Sequence, residues 1–102
     1  MESVKRVEII ANSQELDKIL RVLNHGGVPG YTVIRNVMGK GQHRTTADDL
    51  VDTSTSNIYI ICFCPEALIT QIAEELRPVL NRFGGICCVS DAVQLRNLKC
   101  VE

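Results

Sequence analysis

Gly39-Lys40-Gly41 is the segment of this 102-residue chain best suited to hold a charged ligand. Glycines flanking a lysine remove side chains and permit positive φ, so backbone N–H groups can approach a phosphate while the ammonium adds a point charge. Arg35 and Arg44 bracket the segment and supply the forked donors that suit phosphate oxygens. Taken alone, a Gly-Lys-Gly turn is more simply a flexible hinge with a solvated lysine. Its setting argues for more, because it opens a polar stretch, Met38–Ser56, between the strand-like runs Tyr31–Val37 and Asn57–Phe63. Connections inside compact domains usually take about two to six residues, and structureless ones beyond roughly fifteen are commonly functional.

Charge within that stretch is uneven: Lys40, His43 and Arg44 come before Asp48, Asp49 and Asp52. A bound phosphate would draw the first half in and repel the second, which makes the loop a candidate ligand-dependent switch with His43 and the three aspartates facing a partner. The plainer alternative is a polar loop whose charges keep it soluble. No spacing in it demands a metal ion. An enzyme would need a nucleophile with a positioned base, yet the two histidines, His25 and His43, are not paired in sequence with a serine or cysteine. No catalytic residue is therefore assigned. Slow phosphate hydrolysis through Asp48 or Asp49 and a plain oligomeric binding domain stand as alternatives to a sensor.

The five cysteines do not form a metal knuckle. Cys62 and Cys64 alternate along an apolar run, Cys87 and Cys88 are adjacent in another, and Cys100 lies near the C-terminal end, whereas zinc sites usually use Cys-x2-4-Cys turns. The four in strand-like runs read as small buried hydrophobes in a reducing compartment. A net charge of −1 without a basic run gives no electrostatic case for a nucleic-acid partner. The first residues lack a signal peptide's apolar region, and no apolar run approaches the roughly 20 residues of a membrane span, so a cytoplasmic location is expected.

These groups must be positioned by a single domain spanning 1–102. Val4 to Ala11 reads as a first strand, and Asn12 or Ser13 caps a helix whose stripe is Leu16, Ile19, Leu20 and Leu23. Gly26-Gly27 ends it, and Tyr31–Val37 is the second strand. After the loop, Asn57–Phe63 is apolar at nearly every position, as expected for a strand buried on both faces. Pro65 falls in the first turn of a second helix, Gly84-Gly85 stops that helix, and Ile86–Leu95 is the last strand. The order βαββαβ is that of the α+β ferredoxin-like fold, with two helices on one face of a four-stranded antiparallel sheet. Its other face is left apolar and uncovered, which predicts a homo-oligomer packing sheet against sheet, a trimer fitting three such sheets around an axis.

Gly30-Tyr31-Thr32-Val33-Ile34, Gly39-Lys40-Gly41, the long polar loop, Arg82-Phe83-Gly84-Gly85 and Ile86-Cys87-Cys88-Val89-Ser90 together resemble the PII-like signalling proteins. The resemblance is nearest to the branch that regulates the sodium-dependent bicarbonate transporter of cyanobacteria. It implies a homotrimer that binds cyclic AMP, AMP, ADP or ATP in clefts between subunits, as a regulatory ligand and with no other cofactor. The nucleotide-binding residues it implies are Thr32, Arg35, Gly39, Lys40, Gly41, Arg44, Gly84, Gly85, Val89 and Ser90. The stretch 38–56 corresponds to the family's T-loop, which contacts a membrane transporter. Two departures weigh against nitrogen signalling by 2-oxoglutarate: the last strand is not preceded by a Gly-rich, Lys-ended loop, and the T-loop has no tyrosine for uridylylation.

Overall fold

In the computed structural model of the chain, residues 1–39 and 56–95 are described. Strand β1 (Glu2–Asn12) leads through a 3-10 turn (Ser13–Glu15) into helix α1 (Leu16–His25). Strand β2 (Thr32–Val37) and strand β3 (Asn57–Cys64) flank the long loop. A second 3-10 turn (Glu66–Leu68) opens helix α2 (Ile69–Phe83), and strand β4 (Ile86–Gln94) closes the fold. The four strands form one antiparallel sheet in the order β2-β3-β1-β4, the ferredoxin-like arrangement.

The 3-10 turn that leads into α1 is capped by Asn12, whose side chain accepts a hydrogen bond from the Gln14 N–H at 2.8 Å, so Asn12 and not Ser13 is the capping residue, while α1 itself begins after Glu15 without a side-chain cap. Pro65 stands just before the second helical segment, extended at φ −63° and ψ 148°. Without an N–H to leave unsatisfied, it suits the approach to a helix start.

The core lies between the helices and one parity of the strands. Leu16, Ile19 and Leu23 from α1 and Ile72 and Leu76 from α2 meet Val7, Ile9 and Ala11 of β1 and Ile58, Ile60, Cys62 and Cys64 of β3, all buried. The other parity is different. Tyr59 and Ile61 are half-buried and Phe63 is exposed, so within one chain β3 is buried on one face rather than on both as its sequence suggested. Both helices cover the same side, and nothing from the described residues covers the opposite one.

The cysteines divide in the same way. Cys62 and Cys64 are buried, Cys87 is half-buried, and Cys88 is exposed, which corrects the reading of all four as core residues. Neighbours on a strand point to opposite faces, so Cys87 joins the covered side and Cys88 lies opposite Glu8 on the open one. Burial, reinforced by Cys64 and Cys87, pushes the Cys62 thiol up to about 12, and burial beside Cys88 pushes Cys87 to about 11.

Candidate functional site

The loop's two ends are held differently. At its departure β2 carries an irregularity between Arg35 and Val37, with Asn36 left-handed at φ 61°. Asparagine adopts that conformation more easily than most residues, and such a bulge turns the strand's exit and re-aims the side chains beyond it. At its return, Ser56 is fastened to the start of the first helical segment: the Ser13 N–H donates to the Ser56 carbonyl at 2.7 Å, and the two hydroxyls are 3.3 Å apart.

Strand register places the candidate groups. Val37 lies opposite Asn57, Asn57 opposite Asn12, and Ile10 opposite Ile86. The exit of β2, the start of β3, the end of β1 and the start of β4 thus share one end of the sheet, and Gly84-Gly85 lies there too. Thr32, Arg35 and Gly39 belong to the β2 edge and its exit, whereas Gly84, Gly85, Val89 and Ser90 belong to the β4 edge. These edges are opposite ones. Three interstrand spacings separate them, about 14 Å. One chain does not bring the two groups together. Lys40, Gly41, His43, Arg44, Asp48, Asp49 and Asp52 lie outside the described residues.

Individual residues on the β4 side have distinct roles. Gly84 ends α2 at φ 87°, its N–H donating to the Leu80 carbonyl at 2.8 Å. Gly85 has φ 130°, and a Cβ there would stand 2.9 Å from both the Ile10 carbonyl oxygen and Leu80 Cδ2. Its lack of a side chain is required by the fold itself, before any ligand is considered. Val89 lies opposite Val7 and Ser90 opposite Arg6, so the two side chains point to opposite faces of the strand. The Ser90 hydroxyl is already engaged, accepting from Arg6 Nε at 3.2 Å. On the β2 side, Thr32 and Arg35 are exposed.

A charged network on the open face escaped the sequence reading. Tyr59 donates to Glu8 at 2.5 Å, and this hydrogen bond, with burial, raises the phenol above its usual range. Arg6 Nε lies 3.5 Å from the other Glu8 oxygen. The signal was available in β1, where Arg6 and Glu8 are two residues apart and so share a face. On the outer side of the helices, a groove of about 450 Å³ is lined by Lys18, Arg21, Val22, His25, Glu75 and Val79. Lys18 pairs with Glu15 at 3.2 Å, and His25 Nδ1 lies 3.1 Å from a Glu75 carboxylate oxygen. Among the described residues, no group of three or more His, Cys, Asp or Glu side chains is placed to hold a metal ion.

Fold and site together define a class: a ferredoxin-like domain with a long loop between its second and third strands and half of a candidate site on each sheet edge. Residues 4–99 match the family model described as nitrogen regulatory protein P-II, and the chain belongs to that family. Among solved structures, it is similar to CPII from Thiomonas intermedia K12 bound to ADP and bicarbonate, at 31% identity over 88% of this chain and 86% of that one, with a TM-score of 0.75. A structure of the same protein with ADP, AMP and bicarbonate aligns over 94% of this chain and 97% of that one, at 28% identity and a TM-score of 0.79. The GlnK–ATP complex of B. subtilis shares the fold, at 20% identity over 90% and 84% of the chains and a TM-score of 0.63. Comparison with curated proteins finds no significant match.

Proposed function

We propose that this chain is a PII-like regulator that assembles as a homotrimer, binds adenine nucleotides in the clefts between copies, and signals their identity through the loop 38–56. The observation that carries the reading is the division of the candidate site between opposite edges of one sheet. A ligand touching both halves needs the β2 edge of one copy beside the β4 edge of the next. Three copies in a ring supply three such clefts and also cover the open sheet faces. In this arrangement Thr32, Arg35, Gly39, Lys40, Gly41 and Arg44 come from one copy, and Gly84, Gly85, Val89 and Ser90 from its neighbour. Lys40 and the two arginines meet phosphate, and the loop's acidic half, Asp48, Asp49 and Asp52 with His43, is left to a partner.

Support for the ligand class comes from the CPII structures, whose bound molecules are ADP, AMP and bicarbonate. The bound bicarbonate favours inorganic carbon as the physiology reported on, while a membrane bicarbonate transporter as the loop's partner follows from the sequence resemblance. The role is regulatory rather than catalytic, since adenine nucleotide is the ligand whose occupancy is read.

Thermal unfolding with cyclic AMP, AMP, ADP and ATP, each with and without bicarbonate, tests the reading. A ligand that binds only the folded state raises the melting temperature by mass action, about 2.7 kcal/mol of stabilisation at a hundred times its Kd. At least one adenine nucleotide should raise the midpoint, and Lys40→Ala should reduce that rise for phosphorylated ligands more than for adenosine. Absence of any shift at millimolar nucleotide would contradict the proposal.

A further inference from the structure

The open face of the sheet carries a polar network that the nucleotide site does not use. It crosses three strands: Tyr59 of β3 donates to Glu8 of β1 at 2.5 Å, and Arg6 of β1 donates through Nε to Ser90 of β4 at 3.2 Å while lying 3.5 Å from Glu8. Around it stand apolar side chains with large exposed fractions, Ile10 at 38%, Ile34 at 49%, Phe63 at 38% and Ile86 at 57%. Within the chain, among the described residues, Arg6 is engaged through Nε alone. The Arg6 side chain keeps 44% of its surface exposed, on a face whose rim is apolar.

This inference rests on the assembly proposed above, in which copies cover that face. Covering the rim without meeting the Arg6 donors would bury an incompletely paired charge, which is strongly unfavourable. The face holds its own answer, because it presents a carboxylate as well as a guanidinium. A ring of three uses a head-to-tail interface, in which one patch meets a different patch on the next copy and the rotation closes. Arg6 and Glu8, neighbours on the same face of β1, give each copy one charge of each sign, so a donor on one copy can meet an acceptor on the next.

We infer that Arg6 and Glu8 form the lock that selects the partner and sets the register of assembly: the Arg6 guanidinium of one copy pairs with the Glu8 carboxylate of the next. The apolar rim supplies affinity without discriminating, and the charge pair supplies discrimination by penalising any surface of the wrong sign. The partner that fits this face is a second copy of the same chain. Tyr59 and Ser90 hold the two charged groups in place from the flanking strands.

Charge exchange tests the inference directly. Arg6→Glu and Glu8→Arg, made singly, should each weaken assembly by about a hundredfold in protein concentration through like-charge contact across the interface, with far-ultraviolet circular dichroism showing an intact fold. The double variant, carrying both exchanges, should assemble with itself. When it is refolded together with wild-type chain and observed by native mass spectrometry, it should form wild-type-only and variant-only assemblies. Statistical mixing of the two chains would overturn the lock, as would single variants that assemble like wild type. A wild-type chain that remains monomeric at every concentration would instead remove the trimer itself, a result read before any variant is made.

Discussion

On the helix-covered face of the sheet, Ile9, Ile58 and Ile60 have no exposed surface, whereas on the opposite face Ile10 and Phe63 each keep 38% of theirs and sit beside an arginine and a glutamate. Both sets come from the same strands, one residue out of step. The covered side is completed by α1 and α2 of its own chain. The open side combines apolar surface with a charge network, and in the proposed assembly it is completed by another copy. In the proposed trimer a single sheet serves as core on one side and as interface on the other, and its two edges, from neighbouring copies, make one site.

Substitutions that act on one face only sharpen this contrast. Ile60→Ala should cost about 4 kcal/mol of unfolding free energy through the cavity left between strand and helices, measured by denaturant titration and the same at every protein concentration. Gly85→Ala should cost about 3 kcal/mol, because a Cβ would combine strain at positive φ with a clash against the Ile10 carbonyl. This loss should appear without any nucleotide present. Phe63→Ala, on the open face, should leave the fold of the separate chain within about 1 kcal/mol of wild type yet lower the apparent stability of the assembly at low protein concentration. An equal loss at all concentrations would place Phe63 in the chain's own core.

Thiol chemistry distinguishes the faces on a smaller scale. In a Cys100→Ser background at pH 8, Cys88 should be alkylated first in dissociated chain and protected on assembly. Cys62, held as a thiol up to about pH 12, should stay unreactive in both. The smallest expected effect is far from the sheet. The Gln71 and His25 hydrogen bonds lower the Glu75 carboxyl below its usual 4.5. A depressed carboxylate contributes stability that is complete above the unfolded value and is lost as pH falls through the folded one. Glu75→Gln should therefore flatten the stability profile only below about pH 4.5, as followed by acid titration of circular dichroism.

Much of this was legible in the residues. The apolar stripe Leu16–Leu23, the Pro65 and Gly84-Gly85 that bracket the second helix and the strand-like runs elsewhere specify the order of elements, and the βαββαβ order specifies the sheet. Asn57–Phe63 misled in an instructive way. A run apolar in both parities is compatible with burial of both faces but does not say whose atoms bury them, and here the described residues of the chain cover only one. Gly84-Gly85 looked equally suited to a ligand and to a helix end, and only the 2.9 Å approach to Ile10 shows that Gly85 serves the fold. The separation of the candidate residues onto two edges was hidden because strand order is decided by tertiary pairing and not by position along the chain. Arg6 and Glu8 read only as members of a first strand, since their significance depends on Tyr59 and Ser90 from strands distant in sequence.

The central claim is that each nucleotide site is shared between two copies, and a mixing experiment tests it most directly. Arg35→Ala with Lys40→Ala disables the β2 half-site, and Val89→Glu places a repelling carboxylate on the β4 half-site, so each variant alone should bind ADP or ATP weakly in calorimetry. Refolded together, the two chains should regain a population of sites with wild-type affinity, formed where an intact β2 edge meets an intact β4 edge. Mixed chains that bind no better than either variant alone would show that both halves serve the same chain, and the account would be wrong.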